Sequence, residues 1–266
     1  MSATLDPNHW HRYAGHWSKV ASPLTPHASD LQIYAQALDA KARTLLLGVT
    51  QQIAALDLRG VAVDHNRAMI NAHTPNRERW AALQADWLAL PLATGSMAQV
   101  VGDGALSVMR HAQAYPRLLR ELRRVLQPGG RCVLRLFVAP DKRESVDDIV
   151  AAVQSGRVGS FHVLKWRLMM SLSSTANSYN VRVADALALF NRRFSDRAEL
   201  LRMTNWPAEV YDTIDVYHGS GVSLSFPPRA VVDALFGQFA ARVHYCTGDY
   251  ELAERCPVVI LDGFHA

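Results

Sequence analysis

Three aspartates close short apolar runs: Asp64 in GVAVDH, Asp86 in LQADW and Asp103 in VVGDGAL. A carboxylate in such a place either accepts paired hydrogen bonds from a ligand or caps the next helix, as Asp64 or Asn66 would before Arg67. Asp103 could also orient or deprotonate a nucleophile. Gly48 ends LLLG, where a missing Cβ lets a ligand approach the backbone. Arg135 is out of character inside RCVLRLF; it either clamps a ligand carboxylate or satisfies a buried acid such as Asp103. In GSFHVLKWRL, His162, Lys165 and Trp166 fall at helical spacing. That fits a catalytic histidine, or a helix with Phe161, Leu164 and Leu168 on the core and His162 and Lys165 exposed. The amino-terminal His9, Trp10, His11, Tyr13, His16 and Trp17 cannot form a core alone and are expected to pack on the body or on a ligand. Their histidine spacing matches no metal site, and no metal is assigned.

Periodicity supplies the elements that must hold these groups. TLLLGVT (44–50) is too short an apolar run for a helix and reads as a buried parallel strand. GVAVD (60–64), WAALQAD (80–86), MAQVVGD (97–103) and RCVLRLFV (131–138) read the same way. Helices are expected over 30–42, 51–56, 67–72 and 115–126. The last carries Leu118, Leu119, Leu122, Val125 and Leu126, and stops at Gln127-Pro128-Gly129-Gly130, where proline cannot continue it. Strand–helix alternation at this spacing predicts an α/β, Rossmann-like, doubly wound, mostly parallel sheet. After Pro140 the pattern changes. Residues 144–205 read as wholly helical, with apolar periodicity in 146–153, 161–172 and 183–201, and form a helical insertion. Beyond it, 209–219 reads as a strand, 228–239 as a helix, and the rest as two strands.

Composition narrows the classes. At 266 residues and 49% hydrophobic, the chain can bury one substantial core. The first residues lack the apolar stretch of a signal peptide, and no apolar run reaches the roughly 18 to 20 residues that span a bilayer. A cytoplasmic protein without membrane contact is the expectation. Cys132, Cys246 and Cys256 are odd in number, with no CxxC, so they are read as free thiols. The net charge is +4, yet the one arginine cluster (Arg117, Arg120, Arg123, Arg124) reads as a solvated helix face, and nucleic acid is disfavoured.

The order LLLGVT, GVAVD, LQADW, VVGDG and LRRVLQPGGRCVLRLF, over about 43–138, resembles the sheet core of class I S-adenosylmethionine-dependent methyltransferases. The resemblance implies a seven-stranded sheet with an antiparallel C-terminal strand. Residues 1–42 would be a lid segment, 43–140 with 206–266 the core, and 141–205 a substrate cap. It implies S-adenosyl-L-methionine as cofactor and S-adenosyl-L-homocysteine as product. Gly48, Val49 and Thr50 would form the first cofactor loop, Asp64 and His65 the ribose site, Asp86 and Trp87 the adenine site, and Asp103 the wall beside the methyl. Asp103 and His162 are then the catalytic candidates. His11, Tyr13, His16 and Trp17, which resemble a lid, join Arg135, Lys165 and Trp166 as substrate candidates. The family pattern has an acid before the first loop and two more glycines within it; this chain has Leu46 and Leu47, then Thr50 and Gln52. The expected activity is methylation of an O, N or S atom of a small metabolite. An inactive partner or binding subunit and an RNA methyltransferase are the alternatives, and a homodimer or partner subunit stays open. A nicotinamide-dependent dehydrogenase is disfavoured, since the first turn lacks GxGxxG.

Overall fold

The computed structural model describes residues 7–73 and 76–265. The first six residues of the expected lid, and Ala266 of the expected core, lie outside them. The strands are β1 Arg43–Leu47, β2 Arg59–Asp64, β3 Trp80–Gln84, β4 Met97–Asp103, β5 Leu126–Arg135, β6 Asn180–Arg182, β7 Ser223–Ser225, β8 Ala240–Cys246 and β9 Val258–Phe264. The α-helices are α1 Pro7–Ala14, α2 Ala28–Ala37, α3 Gln51–Ala54, α4 Arg67–His73, α5 His111–Val125, α6 Val146–Gln154, α7 Phe161–Leu172, α8 Val183–Arg193, α9 Arg197–Thr204, α10 Asp212–Asp215 and α11 Arg229–Phe236.

Seven strands form one sheet in the order β3-β2-β1-β4-β5-β9-β8, with β9 antiparallel to β5 and to β8. Successive strand residues face opposite sides, so each apolar run feeds two cores. Leu45, Leu47, Val61 and Val63 pack with Leu118, Leu119 and Leu122 of α5. Leu46, Ala62, Val101 and Val133 pack with Tyr34, Ile53, Ile70 and Trp80 on the other side. This is the doubly wound sheet expected from the sequence. β1 lies between β2 and β4, so the crossovers leave β1 in opposite directions and a crevice opens at the carboxyl ends of β1 and β4.

A third core belongs to the insertion. It unites α6, α7 and α8 with Trp206, Tyr211, Ile214, Tyr217, Leu224 and Phe226. The chain therefore stays with the insertion through Phe226 and returns to the sheet at α11, beyond the expected boundary at 205. Two expectations are corrected within it. Residues 209–219 are helical turns, a 3₁₀ segment Ala208–Tyr211 followed by α10. Among their buried members, Tyr211, Ile214 and Tyr217, and likewise Thr213 and Val216, fall three residues apart, which is a helical period. Nor is 144–205 wholly helical, because β6 pairs with β7. That ribbon is tied to the loop after β4, where the Ser225 amide donates to the Ser107 carbonyl at 2.7 Å.

The amino-terminal segment crosses the crevice. Tyr13, Val20 and Leu24 join the insertion core, while Trp10 and Trp17 touch both that core and the sheet. Lys19 pairs with Asp212 at 2.5 Å, joining this segment to α10. The helix α2, shorter than the expected 30–42, begins with a capping box between His27 and Asp30. Among the described residues no helix is long and apolar enough to cross a membrane.

Candidate active site

The crevice is a cleft of about 430 Å³ between the strand tips, the amino-terminal segment and the insertion. Its floor is the β1 tip and its loop: Leu47, Gly48, Val49 and Thr50. Gly48 has φ +90°, a conformation that disfavours any side chain. A Cβ there would stand 3.7 Å from both Asp64 Oδ2 and Trp87 Cζ2, so the missing methyl opens the space these two groups face. Thr50 is buried and stands at the N-cap of α3 without a side-chain cap bond. Gln51 turns away to His73, 3.0 Å from its Nδ1, and leaves the cleft clear.

Asp64 ends β2 with its carboxylate across from Gly48. Oδ1 accepts the Asn66 amide at 2.7 Å, which is the helix-approach turn read from the sequence. Oδ2 faces the cleft. Burial pushes this carboxyl up to about 6, against the pull of the Asn66 amide and His65. A carboxylate held at such cost, with one oxygen aimed at open space, is the kind of acceptor a ligand's hydroxyls would complete. His65 is exposed and lines the cleft rim.

On the β3 side, Trp87 donates its indole N–H to the Val63 carbonyl at 2.6 Å, which fixes the ring plane beside Gly48. Asp86 is exposed, and its Oδ1 accepts the Leu88 amide at 2.9 Å. Both line the cleft, so strand-tip acids from β2, β3 and β4 converge on one cavity.

Asp103, at the β4 tip, also lines the cleft, and its Oδ1 accepts from Arg135 Nε at 2.6 Å. Burial raises the Asp103 carboxyl while Arg135 holds it down. Of the two readings of Arg135, the structure gives the second. Its side chain is fully buried and lies outside the cleft lining. Besides Asp103 it meets the Pro23 carbonyl at 2.9 Å, Tyr250 Oη at 3.2 Å and Asp30 Oδ2 at 3.5 Å. Tyr34 Oη accepts the Arg135 amide at 2.8 Å and donates to the Gly102 carbonyl at 2.7 Å. Outside the lining and paired with Asp103, Arg135 satisfies that buried acid. Next to Asp103, Gly104 has φ +57°, and a Cβ there would lie 2.6 Å from the Phe137 ring, which fills the space beneath this loop.

The roof is aromatic. Trp10, Tyr13 and Trp17 of the amino-terminal segment face Phe137, Trp166 and Tyr217. His9 also lines the cleft, its ring stacked 5.8 Å from both Tyr13 and Tyr217. Phe137 and Tyr217 were not singled out from the sequence, and His9 was read only as part of the aromatic amino-terminal segment. The i, i+4 spacing of His9 and Tyr13 was the available signal. His11 is exposed on the opposite face of α1, and His16 is half-buried outside the lining, so neither meets the cleft.

His162 and Lys165 are corrected in the other direction. Both are buried rather than exposed, and neither lines the cleft, whereas Trp166 does. α7 is buried on nearly every side at the centre of the insertion. His162 Nε2 lies 2.9 Å from the Lys19 carbonyl, and burial pushes the ring down to about 4. Lys165 Nζ donates to the Thr213 carbonyl at 3.1 Å and hydroxyl at 3.0 Å, and burial pushes it down to about 7. From that position His162 reaches no acceptor in the cleft.

A seven-stranded sheet in this order, with one antiparallel strand and strand-tip acids around the β1/β4 crevice, is the class I S-adenosylmethionine-dependent methyltransferase fold. Residues 46–134 match the family described as a methyltransferase domain. No curated protein matches the chain in sequence. Among solved structures it is similar to a SAM-dependent methyltransferase of Methanosarcina mazei, with TM-score 0.54 and 11% identity over 91% of this chain and 100% of that one. A SAM-dependent methyltransferase of Thermotoga maritima, described as a possible histamine N-methyltransferase, gives TM-score 0.51 and 15% identity over 97% and 100% of the two chains. A presumed Zn-dependent alcohol dehydrogenase of Rhodobacter sphaeroides gives TM-score 0.55 and 10% identity over 96% and 98%. Likeness at such identity shows the fold alone.

Proposed function

We propose that the chain is a methyltransferase that binds S-adenosylmethionine along the strand tips and methylates an O, N or S nucleophile of a small molecule held under the aromatic roof. The observation that carries this reading is the pairing of Gly48 with the cleft-facing oxygen of Asp64. A side chain is missing where a ligand must pass, and a carboxylate is buried at cost where a ligand's hydroxyls would meet it. Asp64 then accepts both ribose hydroxyls. Asp86 takes the adenine amino group, and Trp87, fixed by its bond to Val63, flanks the base. Gly48, Val49 and Thr50 border the methionine portion, with Thr50 offering a hydroxyl where the family pattern has glycine.

Held by Gly48, Asp64, Asp86 and Trp87, the cofactor would supply an electrophilic methyl group for the acceptor's lone pair. The protein's part is alignment and exclusion of water. Asp103, one oxygen pinned by Arg135, uses the other to orient the acceptor and to take its proton. The amino-terminal helix and the insertion close the roof.

The test is isothermal titration of the full chain with S-adenosylmethionine and S-adenosylhomocysteine. Saturable binding of both is expected. No binding at millimolar ligand would leave a methyltransferase-like scaffold instead. A substitution sharpens the point. Gly48→Ala is expected to cost about 1 kcal/mol of stability through its positive φ. It should also weaken S-adenosylhomocysteine binding by about tenfold, since the added methyl intrudes on the ligand's path. An affinity equal to wild type would remove Gly48 from the site.

A further inference from the structure

One wall of the cleft carries positive charge that the cofactor reading leaves unused. Past the tip of β4 the chain turns through Ser107, Val108 and Met109 into α5, and Arg110, Gln113, Ala114 and Arg117 line the cavity. The spacing i, i+3, i+4, i+7 puts these four on a single helical face. Arg117, which the sequence grouped with Arg120, Arg123 and Arg124 on a solvated face, stands where that face meets the cleft; Arg120 lies outside the lining. Arg110 and Arg117 are both exposed, and neither has a hydrogen bond or ion pair among the described residues. The acids of the lining are engaged elsewhere. Asp64 and Asp86 lie at the tips given to the nucleoside, and Asp103 is matched by Arg135 at 2.6 Å. The α5 wall also adjoins the insertion: Leu224 of β7 shares the lining, and the ring of His111, next to Arg110, meets Tyr179 edge-on at 5.7 Å.

Resting on the cofactor reading above, we propose that the methyl acceptor is an organic anion, with an apolar body under the aromatic roof and a carboxylate or phosphate held by Arg110 and Arg117. A guanidinium presents paired N–H donors that match either oxyanion. An oxyanion at this wall would neutralise two charges that meet no partner within the protein. Asp103 and the arginines then act on different groups of the guest: the carboxylate on the nucleophile, the guanidiniums on the anion.

The experiment titrates phenylpropanoate, its uncharged amide and phenyl phosphate into the full chain at low salt, with and without saturating S-adenosylhomocysteine. At least one of the two anions is expected to bind about fivefold more tightly than the amide, and the preference to fade as salt is raised. The two anions together tell which oxyanion the wall prefers. Arg110→Gln combined with Arg117→Gln should abolish the preference and leave S-adenosylhomocysteine affinity unchanged; both residues are exposed, so the fold is kept. Arg120→Gln, on the same helix but outside the lining, should retain the preference. An amide that binds as tightly as both anions overturns the proposal, as does a preference that survives the double variant or vanishes in Arg120→Gln. Failure of all three probes to bind overturns it too. So does a double variant that loses S-adenosylhomocysteine affinity, because the arginines then serve the cofactor. Failure of S-adenosylhomocysteine to bind, with the arginine-dependent preference intact, would instead sink the cofactor reading and leave the anion site standing.

Discussion

Asp64→Asn is expected to make the protein more stable and nearly unable to hold its cofactor. A carboxyl pushed from 3.8 to about 6 by burial costs on the order of 3 kcal/mol when it ionises in the folded chain. Asparagine keeps an oxygen for the Asn66 amide and carries no charge. The melting temperature should therefore rise by several degrees. The sign follows from the raised folded value: between about pH 4 and 6 the native state holds the proton longer than the unfolded chain. Wild-type stability should then fall as pH rises through that window and level off above it, and the variant should lack this slope. The same substitution removes a charged acceptor from two ribose hydroxyls, a loss of roughly thirty- to a hundredfold in S-adenosylhomocysteine affinity. Wild-type affinity should also weaken as pH falls below about 6, where Asp64 takes up its proton. Calorimetry across pH checks both halves. A variant that melts lower, or binds as wild type does, would contradict the role given to this carboxylate.

Arg135→Met should be the most damaging single change. The guanidinium is fully buried and ties Asp103, Asp30, the Pro23 carbonyl and Tyr250 together. Methionine fills much of the volume but leaves Asp103 and Asp30 buried with no positive partner. Breaking a buried pair from one side costs about 3–5 kcal/mol, which for a chain of this size lowers the melting temperature by roughly 10 °C. Adding Asp103→Asn should recover part of the loss, because one stranded charge is then gone. Denaturant titrations of the two single variants and the double variant measure this coupling. Strict additivity would mean that Asp103 and Arg135 do not depend on each other.

Much of the sheet could be read from residues because its strands are local, apolar and closed by turns. TLLLG, GVAVD and MAQVVGD each announce a buried strand, and each ends near a group that the cleft uses. The insertion was less legible. Its ribbon pairs Asn180–Arg182 with Ser223–Ser225, forty residues away, and three-residue strands carry almost no periodic signal. In 209–219, alternating Val, Tyr and Ile looked like a strand, although the buried side chains fall at helical intervals. Lys165 and His162 looked like a polar face because a lone helix is expected to keep one. α7 has none, since α6, α8 and the amino-terminal segment surround it. Arg135 could be read only as a pair of alternatives, and the choice depended on Asp30 and Tyr250, more than a hundred residues away in either direction.

The roof and the floor of the cleft are anchored in different interiors. Trp166, Tyr217 and Phe137 belong to the insertion core, while Gly48 and Asp64 sit on strands rooted in the sheet. Mutations that reshape the roof therefore need not disturb the pairing of Gly48 and Asp64 on the floor. On the proposed function, the acceptor chamber can be remade by substitutions in α7 and the amino-terminal segment while the strand tips stay unaltered.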